Sequence, residues 1–124
     1  MTAGEIKGIS GIVIDCRDEN ALCDFYQKLL EWPREKAGEG WAALKSPAGF
    51  TLAFQRQPLY EKPVWPYEKG RQGQMIHLDF KVDNLEKAVE RALSLGAELC
   101  KTQYFESSKT MKDIEGHTFC LDLG

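Results

Sequence analysis

No apolar run in this chain approaches the roughly 20 residues that a membrane-crossing helix requires, so a bilayer is not an expected partner. The N-terminal stretch MTAGEIKGIS has no basic segment leading into an apolar one, and no secretory signal is expected. A cytoplasmic location is the resulting expectation. Lys and Arg never gather into a stripe, and the net charge of −3 is spread with mixed sign, which argues against nucleic acid as a partner. Cys16, Cys23, Cys100 and Cys120 show no CxxC spacing, so a zinc knuckle is unsupported. Disulfides are not expected in a reducing compartment. Cys16 and Cys23 read as small buried apolar residues.

What is present is one strand–helix pattern used twice. Ile76, Leu78, Phe80 and Val82 alternate with His77, Asp79 and Lys81, the period-2 pattern of a strand with one buried face. Leu85, Ala88, Val89, Ala92 and Leu93 then form a helical stripe. Asp83 is placed to cap this helix, with Glu86 completing a capping box, and Gly96 to end it. Earlier, Ile12 and Ile14 alternate with Gly11, Val13 and Asp15, and Leu22, Phe25, Tyr26, Leu29 and Leu30 repeat the stripe. Such self-similarity is the mark of an internal duplication.

At 124 residues the chain is one domain's worth. Its first module covers about residues 6–56 after a loose terminus over 1–5, a loop covers 57–74, and the second module covers about 75–124. The spacing predicts a strand over about 7–16 and a helix over about 19–31, capped by Asp18 and stopped at Trp32-Pro33. A short edge strand is expected within 34–40, then strands over 41–46 and 50–56 around a tight turn at 46–49. In the second module strands are expected over 98–103, 107–112 and 117–123, with a turn at Asp113–Gly116. The reading is an α+β fold, two βαβββ modules forming a curled eight-stranded mixed sheet, a cup with both helices outside. The loop 57–74 carries Tyr60, Trp65 and Tyr67. It reads either as a linker with its aromatics pinned down, or as a lid whose aromatics touch a ligand.

With these residues in place, the chain resembles the vicinal oxygen chelate superfamily, the glyoxalase/bleomycin resistance/dioxygenase group, and within it the small glyoxalase-like domains. The resemblance is carried by IVIDCRDENALCDFYQKLLEW, by MIHLDFKVDNLEKAVERALSLGAEL and by the closing DIEGHTFCLDL, with PVWP before GQMIHLDF. It implies the two-module fold. It also implies a place for a divalent metal held by two ligands from each half, with the metal stabilising an enolate or oxyanion. At those positions the second half has His77 and Cys120, the latter where metal-binding members usually have Glu. The first half has Gly11, or Val13 in another register, and Ala53. None of these three first-half residues carries a ligand atom.

No cofactor is therefore expected. Were zinc, nickel, manganese or magnesium held, His77 and Cys120 would be its ligands, with Asp15 or Asp79 assisting zinc. Strand alternation puts Val13, Asp15, Thr51, Gln55, His77, Asp79, Thr118, Cys120 and Asp122 on the cup side. Asp15, Gln55, Trp65 and Asp79 are the candidate ligand-binding residues. His77 and Cys120 are the candidate catalytic ones, His77 for proton transfer and Cys120 as a nucleophile if His77 lowers its pKa. The structural alternative makes Asp15 and Asp79 partners of nearby backbone or of Arg17 and Lys81. His117 reads as a surface turn residue.

The leading expectation is a small-molecule-binding protein that has lost the family's metal site. One alternative is a metal-dependent lyase or isomerase of the lactoylglutathione lyase type. The other is a bleomycin-type drug-sequestering resistance protein. The expected partners are a small organic ligand and a second copy in a homodimer.

Overall fold

Alternation along the strands and stripes along the helices decide which side chains meet. The computed structural model describes residues 3–124. The expected loose terminus, 1–5, lies partly outside them. The elements are β1 (Gly11–Cys16), α1 (Glu19–Leu30), β2 (Trp41–Lys45), β3 (Thr51–Arg56), β4 (Leu78–Lys81), α2 (Leu85–Ser94), β5 (Glu98–Leu99), β6 (Ser108–Lys112) and β7 (Thr118–Asp122).

The two helices accompany two mixed sheets, in the orders β1-β3-β2 and β4-β7-β6-β5. In each module the first strand pairs parallel with the last, β1 with β3 and β4 with β7. The last strand pairs antiparallel with the one before it. This repeated topology carries the duplication read from the sequence.

The expected edge strand within 34–40 is reduced to isolated bridges, Arg34 with Leu44 and Gly38 with Trp41. Glu35 N–H still donates to the Ala43 carbonyl at 2.9 Å, but Gly38 and Trp41 close on each other in a tight turn. That turn consumes the residues a full strand would need. The described strands therefore number seven, in two sheets, with β1 and β4 in different ones.

The helix ends follow local chemistry. The Asp18 carboxylate accepts the Ala21 N–H at 3.0 Å, as its sequence position implied. In α2 the cap is Asn84, accepting the Lys87 N–H at 3.0 Å, and not Asp83. The reason lies one residue upstream: Val82 N–H still donates to the Asp122 carbonyl at 2.8 Å. With Val82 bound beside the sheet, Asp83 is used for the change of direction and capping falls to its successor. At the other end Gly96 has φ +108°. Its N–H reaches the Leu93 carbonyl, and Ala97 N–H reaches that of Ala92, the two bonds of a Schellman motif.

The core is one body shared by both modules. Leu22, Phe25 and Tyr26 of α1 pack with Leu52 and Phe54 of β3 and with Met111, Phe119 and Leu121 of the second sheet. Tyr26 lies parallel to Phe54, ring centroids 5.5 Å apart, and meets Phe119 edge-on at 6.0 Å. Cys16 and Cys23 are buried in the same cluster, as apolar fillers. Because the apolar face of each strand is spent here, the alternate residues are left for the opposite face.

Candidate functional site

That opposite face of the second sheet gathers the candidate residues. Leu78 and Phe80 point to the core, so His77, Asp79 and Lys81 point away from it. Parallel pairing sets Asp79 in register with Cys120, and antiparallel pairing sets Thr110 beside Cys120 from the other side. His77 Nε2 lies 3.1 Å from Asp79 Oδ1, with both side chains about half exposed. One donor atom each from His77, Asp79 and Cys120 falls within 4.8 Å of the other two. Thr110 Oγ1 is 3.5 Å from Cys120 Sγ.

These groups open into a cavity of about 550 Å³, lined also by Trp65, Tyr104, Phe105, Ser108 and Thr118. Trp65 and Tyr104 meet edge-to-face at 6.1 Å. The 57–74 loop is thus a wall of the cavity through Trp65. It is tied down by Val64 N–H to the Gln72 carbonyl and by Gln74, whose side chain accepts Thr118 N–H at 2.7 Å and donates to the Thr118 carbonyl. Tyr104 and Phe105 escaped the sequence reading. They follow a strand that ends early, at Leu99, and an adjacent aromatic pair in a polar stretch was the available signal.

Burial pushes the Cys120 thiol up, and the neighbouring Asp79 carboxylate adds to this against the lowering pull of Thr110 and Ser108. Cys120 thus holds its proton, contrary to what a free nucleophile requires.

Asp15 and Gln55 do not join this group. They are register partners on β1 and β3, in the other sheet. Among the described residues, Gln55 lines neither this cavity nor the two that follow. Asp15 accepts from Gln57 Nε2 at 3.3 Å and lines a second cavity of about 470 Å³ with Tyr60, Gln74, Met75 and His117. His77 and Thr118 border both cavities. The third, a groove of about 1220 Å³, runs on the helix side between Trp32, Phe50, Phe80 and Ala88.

His117 is no surface residue: it is 9% exposed. Its Nδ1 faces the Asp113 carboxylate at 2.9 Å and its Nε2 faces the Asp15 carbonyl at 2.7 Å. Its two nearest partners are acceptors, with the Tyr60 hydroxyl oxygen 3.2 Å from Nε2 as a further neighbour, an arrangement that favours the doubly protonated ring. Burial alone would lower its pKa, but the hydrogen bond and charge of Asp113, the Asp15 carbonyl and the Glu115 charge outweigh it and raise the value. The Asp113 carboxylate also accepts the Tyr26 hydroxyl at 2.7 Å. Tyr60 O–H donates to the Glu115 carbonyl at 2.8 Å. The turn Asp113–Gly116 expected between β6 and β7 thus doubles as a clasp between the modules.

The Glu115 carboxylate completes that clasp by accepting Arg17 N–H at 2.6 Å and Asp18 N–H at 2.7 Å, just ahead of α1. Glu115→Ala is expected to lower stability by about 1–3 kcal/mol, as the loss of charge-assisted bonds does. Urea denaturation checks this, and an unchanged midpoint would remove Glu115 from the clasp.

Comparison with known proteins places this geometry. The model of the glyoxalase-like domain family matches residues 11–121. A crystal structure of a glyoxalase/bleomycin resistance protein/dioxygenase family enzyme from Burkholderia phytofirmans PsJN is 21% identical, with a TM-score of 0.73 over 91% of this chain and 95% of that one. A glyoxylase/bleomycin resistance protein/dioxygenase domain from Frankia sp. EAN1pec is 22% identical, with a TM-score of 0.70 over 97% and 99%. A mutant of the fosfomycin resistance protein FosX from Listeria monocytogenes, complexed with Mn(II) and a dihydroxypropylphosphonic acid, is 18% identical, with a TM-score of 0.71 over 97% and 92%. No curated protein sequence matches. At these identities the solved structures speak for the fold. With the paired βαβ-type modules and a family match spanning nearly the whole chain, the protein belongs to the glyoxalase-like domain family, within the vicinal oxygen chelate superfamily.

Proposed function

We propose that this protein binds a small organic ligand in the 550 Å³ cavity and does not hold the hard divalent cation of its superfamily. The observation that carries the reading is the donor set. Gly11 and Ala53, opposite His77 and Cys120 in the duplicated pattern, have no ligand atom, and Ala53 is buried. A Cβ added at Gly11 would sit 3.2 Å from the Thr51 carbonyl oxygen, so the position is already tight for any side chain. Mg²⁺ and Mn²⁺ prefer oxygen ligands and do not favour a thiol. What remains is an aromatic-walled cavity with a few polar groups, the usual character of a small-molecule site. Trp65, Tyr104 and Phe105 supply the contact area. Asp79 and His77 fix polar groups of the ligand.

A thermal-shift screen of small carboxylates, phosphonates and aromatic compounds tests this, with tryptophan fluorescence as the second readout. A true ligand is expected to lose about tenfold or more in affinity, ~1.4 kcal/mol, on Trp65→Ala. Binding indifferent to Trp65, or dependent on added Mn²⁺, rejects the reading. A lyase of the lactoylglutathione type would instead turn over a glutathione hemithioacetal and stop with chelator or His77→Ala.

We place the protein in the cytoplasm as a homodimer on the same footing. Free cysteines at all four positions suit a reducing compartment. Exposed Leu59, Met75 and Ile76 form apolar surface that a second copy would cover. A drug-sequestering role would need such a dimer, so a strict monomer in light scattering rejects both.

A further inference from the structure

We propose that the ligand of the 550 Å³ cavity carries an organic cation, an alkylammonium group held by the rings of Trp65, Tyr104 and Phe105 and the carboxylates of Asp79 and Asp122. The inference rests on the reading above that this cavity takes a small organic molecule, and it names the charge that molecule carries.

Three aromatic side chains meet here from two separate parts of the chain. Trp65 comes from the 57–74 loop, and Tyr104 and Phe105 from the segment after β5. Among the described residues, none of the three belongs to the hydrophobic core. Tyr104 and Phe105 are 68% and 71% exposed, so burial in the fold does not account for their place. Trp65 and Tyr104 stand at an interplanar angle of 83°, ring centroids 6.1 Å apart. A group lodged in the corner between them meets ring surface from two directions. Ring faces carry negative potential, and a cation within about 6 Å of a ring centroid is drawn to it.

The fixed charges lining the cavity have one sign. Asp79 and Asp122 are there, and among the described residues no Lys or Arg is. Asp79 is in register with Cys120, and Asp122 lies two residues further along β7, so both carboxylates rise from one face of the sheet. Asp79 Oδ1 has His77 Nε2 at 3.1 Å, and Asp122 Oδ1 accepts the Gly124 N–H at 2.9 Å. Each carboxylate keeps further lone pairs for a ligand. Two lysines of the same sheet, Lys81 and Lys112, are in register with Asp122 and Glu98. Asp79 is therefore the main charge partner and Asp122 the lesser one. A carboxylate or phosphonate placed here would meet like charge in the cavity wall. A tertiary or quaternary ammonium rests its alkyl groups on the rings and turns its charge to the carboxylates.

Three probes of one shape and different charge test this by isothermal titration calorimetry: choline, its uncharged carbon isostere neohexyl alcohol, and the anion of tert-butylacetic acid. Choline is expected to bind about tenfold or more tighter than the alcohol, and the anion not to bind. Asp79→Asn keeps the side-chain shape and is expected to erase most of that preference while the affinity for the alcohol stays. Asp122→Asn is expected to have a smaller effect. Trp65→Ala is expected to weaken choline about tenfold, and Trp65→Phe, which keeps a ring, to retain part of the affinity. The alcohol or the anion binding as tightly as choline overturns the inference. So does a preference that survives Asp79→Asn, or no binding of choline at all. A neutral or anionic compound from the thermal-shift screen that binds and depends on Trp65 would leave the small-molecule reading standing without the cation. If nothing in either set binds, both fall.

Discussion

His117→Ala is expected to cost about 3–5 kcal/mol of folding stability, the usual loss when one partner of a buried ion pair is removed. The imidazolium is sandwiched between the Asp113 carboxylate and the Asp15 carbonyl, so its removal leaves a carboxylate with 0% exposure short of its charged donor. The carboxylate keeps the Tyr26 hydroxyl and the N–H groups of Glu115 and His117. Those bonds do not replace a positive charge. Asp113→Ala should cost more, since it also strands the buried Tyr26 hydroxyl and two N–H groups, and the double variant should cost less than the sum, because both single changes remove the shared ion pair.

The same group predicts a pH dependence of definite sign. Its folded pKa is raised above the ordinary 6.5. Its contribution is therefore fully present below about pH 6.5 and is lost as pH rises through the folded value. The urea midpoint of the native protein should fall across that alkaline window, and the difference between native protein and His117→Ala should narrow with it. Cys16, pushed up to about 12 by burial and surrounding carboxylates, adds its own loss only above the ordinary thiol value of 9.0. Measurements below that limit isolate His117. Parallel pH curves for the two proteins would show that the ring is not held charged.

Phe119→Ala is expected to cost about 3–5 kcal/mol, whereas its neighbour Cys120→Ala should cost less than about 1 kcal/mol in metal-free protein. Phe119 is 1% exposed and meets Phe25, Tyr26 and Phe80 at ring distances of 6.0–6.2 Å. Few rings outside it could move in to fill the void, since the surrounding side chains are themselves held by the two sheets. Cys120, one residue on, faces the cavity, where loss of a sulfur enlarges a space already open. Guanidinium denaturation of the two variants decides this. Equal losses would mean that the strand does not divide core from cavity as described.

The division of strand faces is legible in the sequence because it rests on local periodicity. Leu78 and Phe80 against His77 and Asp79 is a two-residue period, and only one assignment of faces buries the apolar set. Asp18 before an apolar stripe, and Gly96 after one, are decided within a single helical turn. Asp83 misled because capping depends on where the preceding strand lets go. That was set by Val82 bonding to Asp122, 40 residues away by the numbering. The edge strand expected within 34–40 does not form for a like reason: the tight turn at Gly38–Trp41 competes for the same residues.

The candidate site divides in the same way. That His77 and Asp79 share a face, and that Gly11 and Ala53 offer no donor, follows from the chain alone. That Cys120 stands beside Asp79, that Trp65 closes over them with Tyr104, and that Gln55 lies elsewhere required the strand registers and the path of the loop. His117 shows the limit most clearly. Its partner Asp15 is 102 positions away, and nothing in the local sequence EGHT separates an exposed turn from a buried clasp. Local patterning sets which face of an element is apolar, because burial of that face dominates the energy. Long-range packing alone decides which polar groups then find each other.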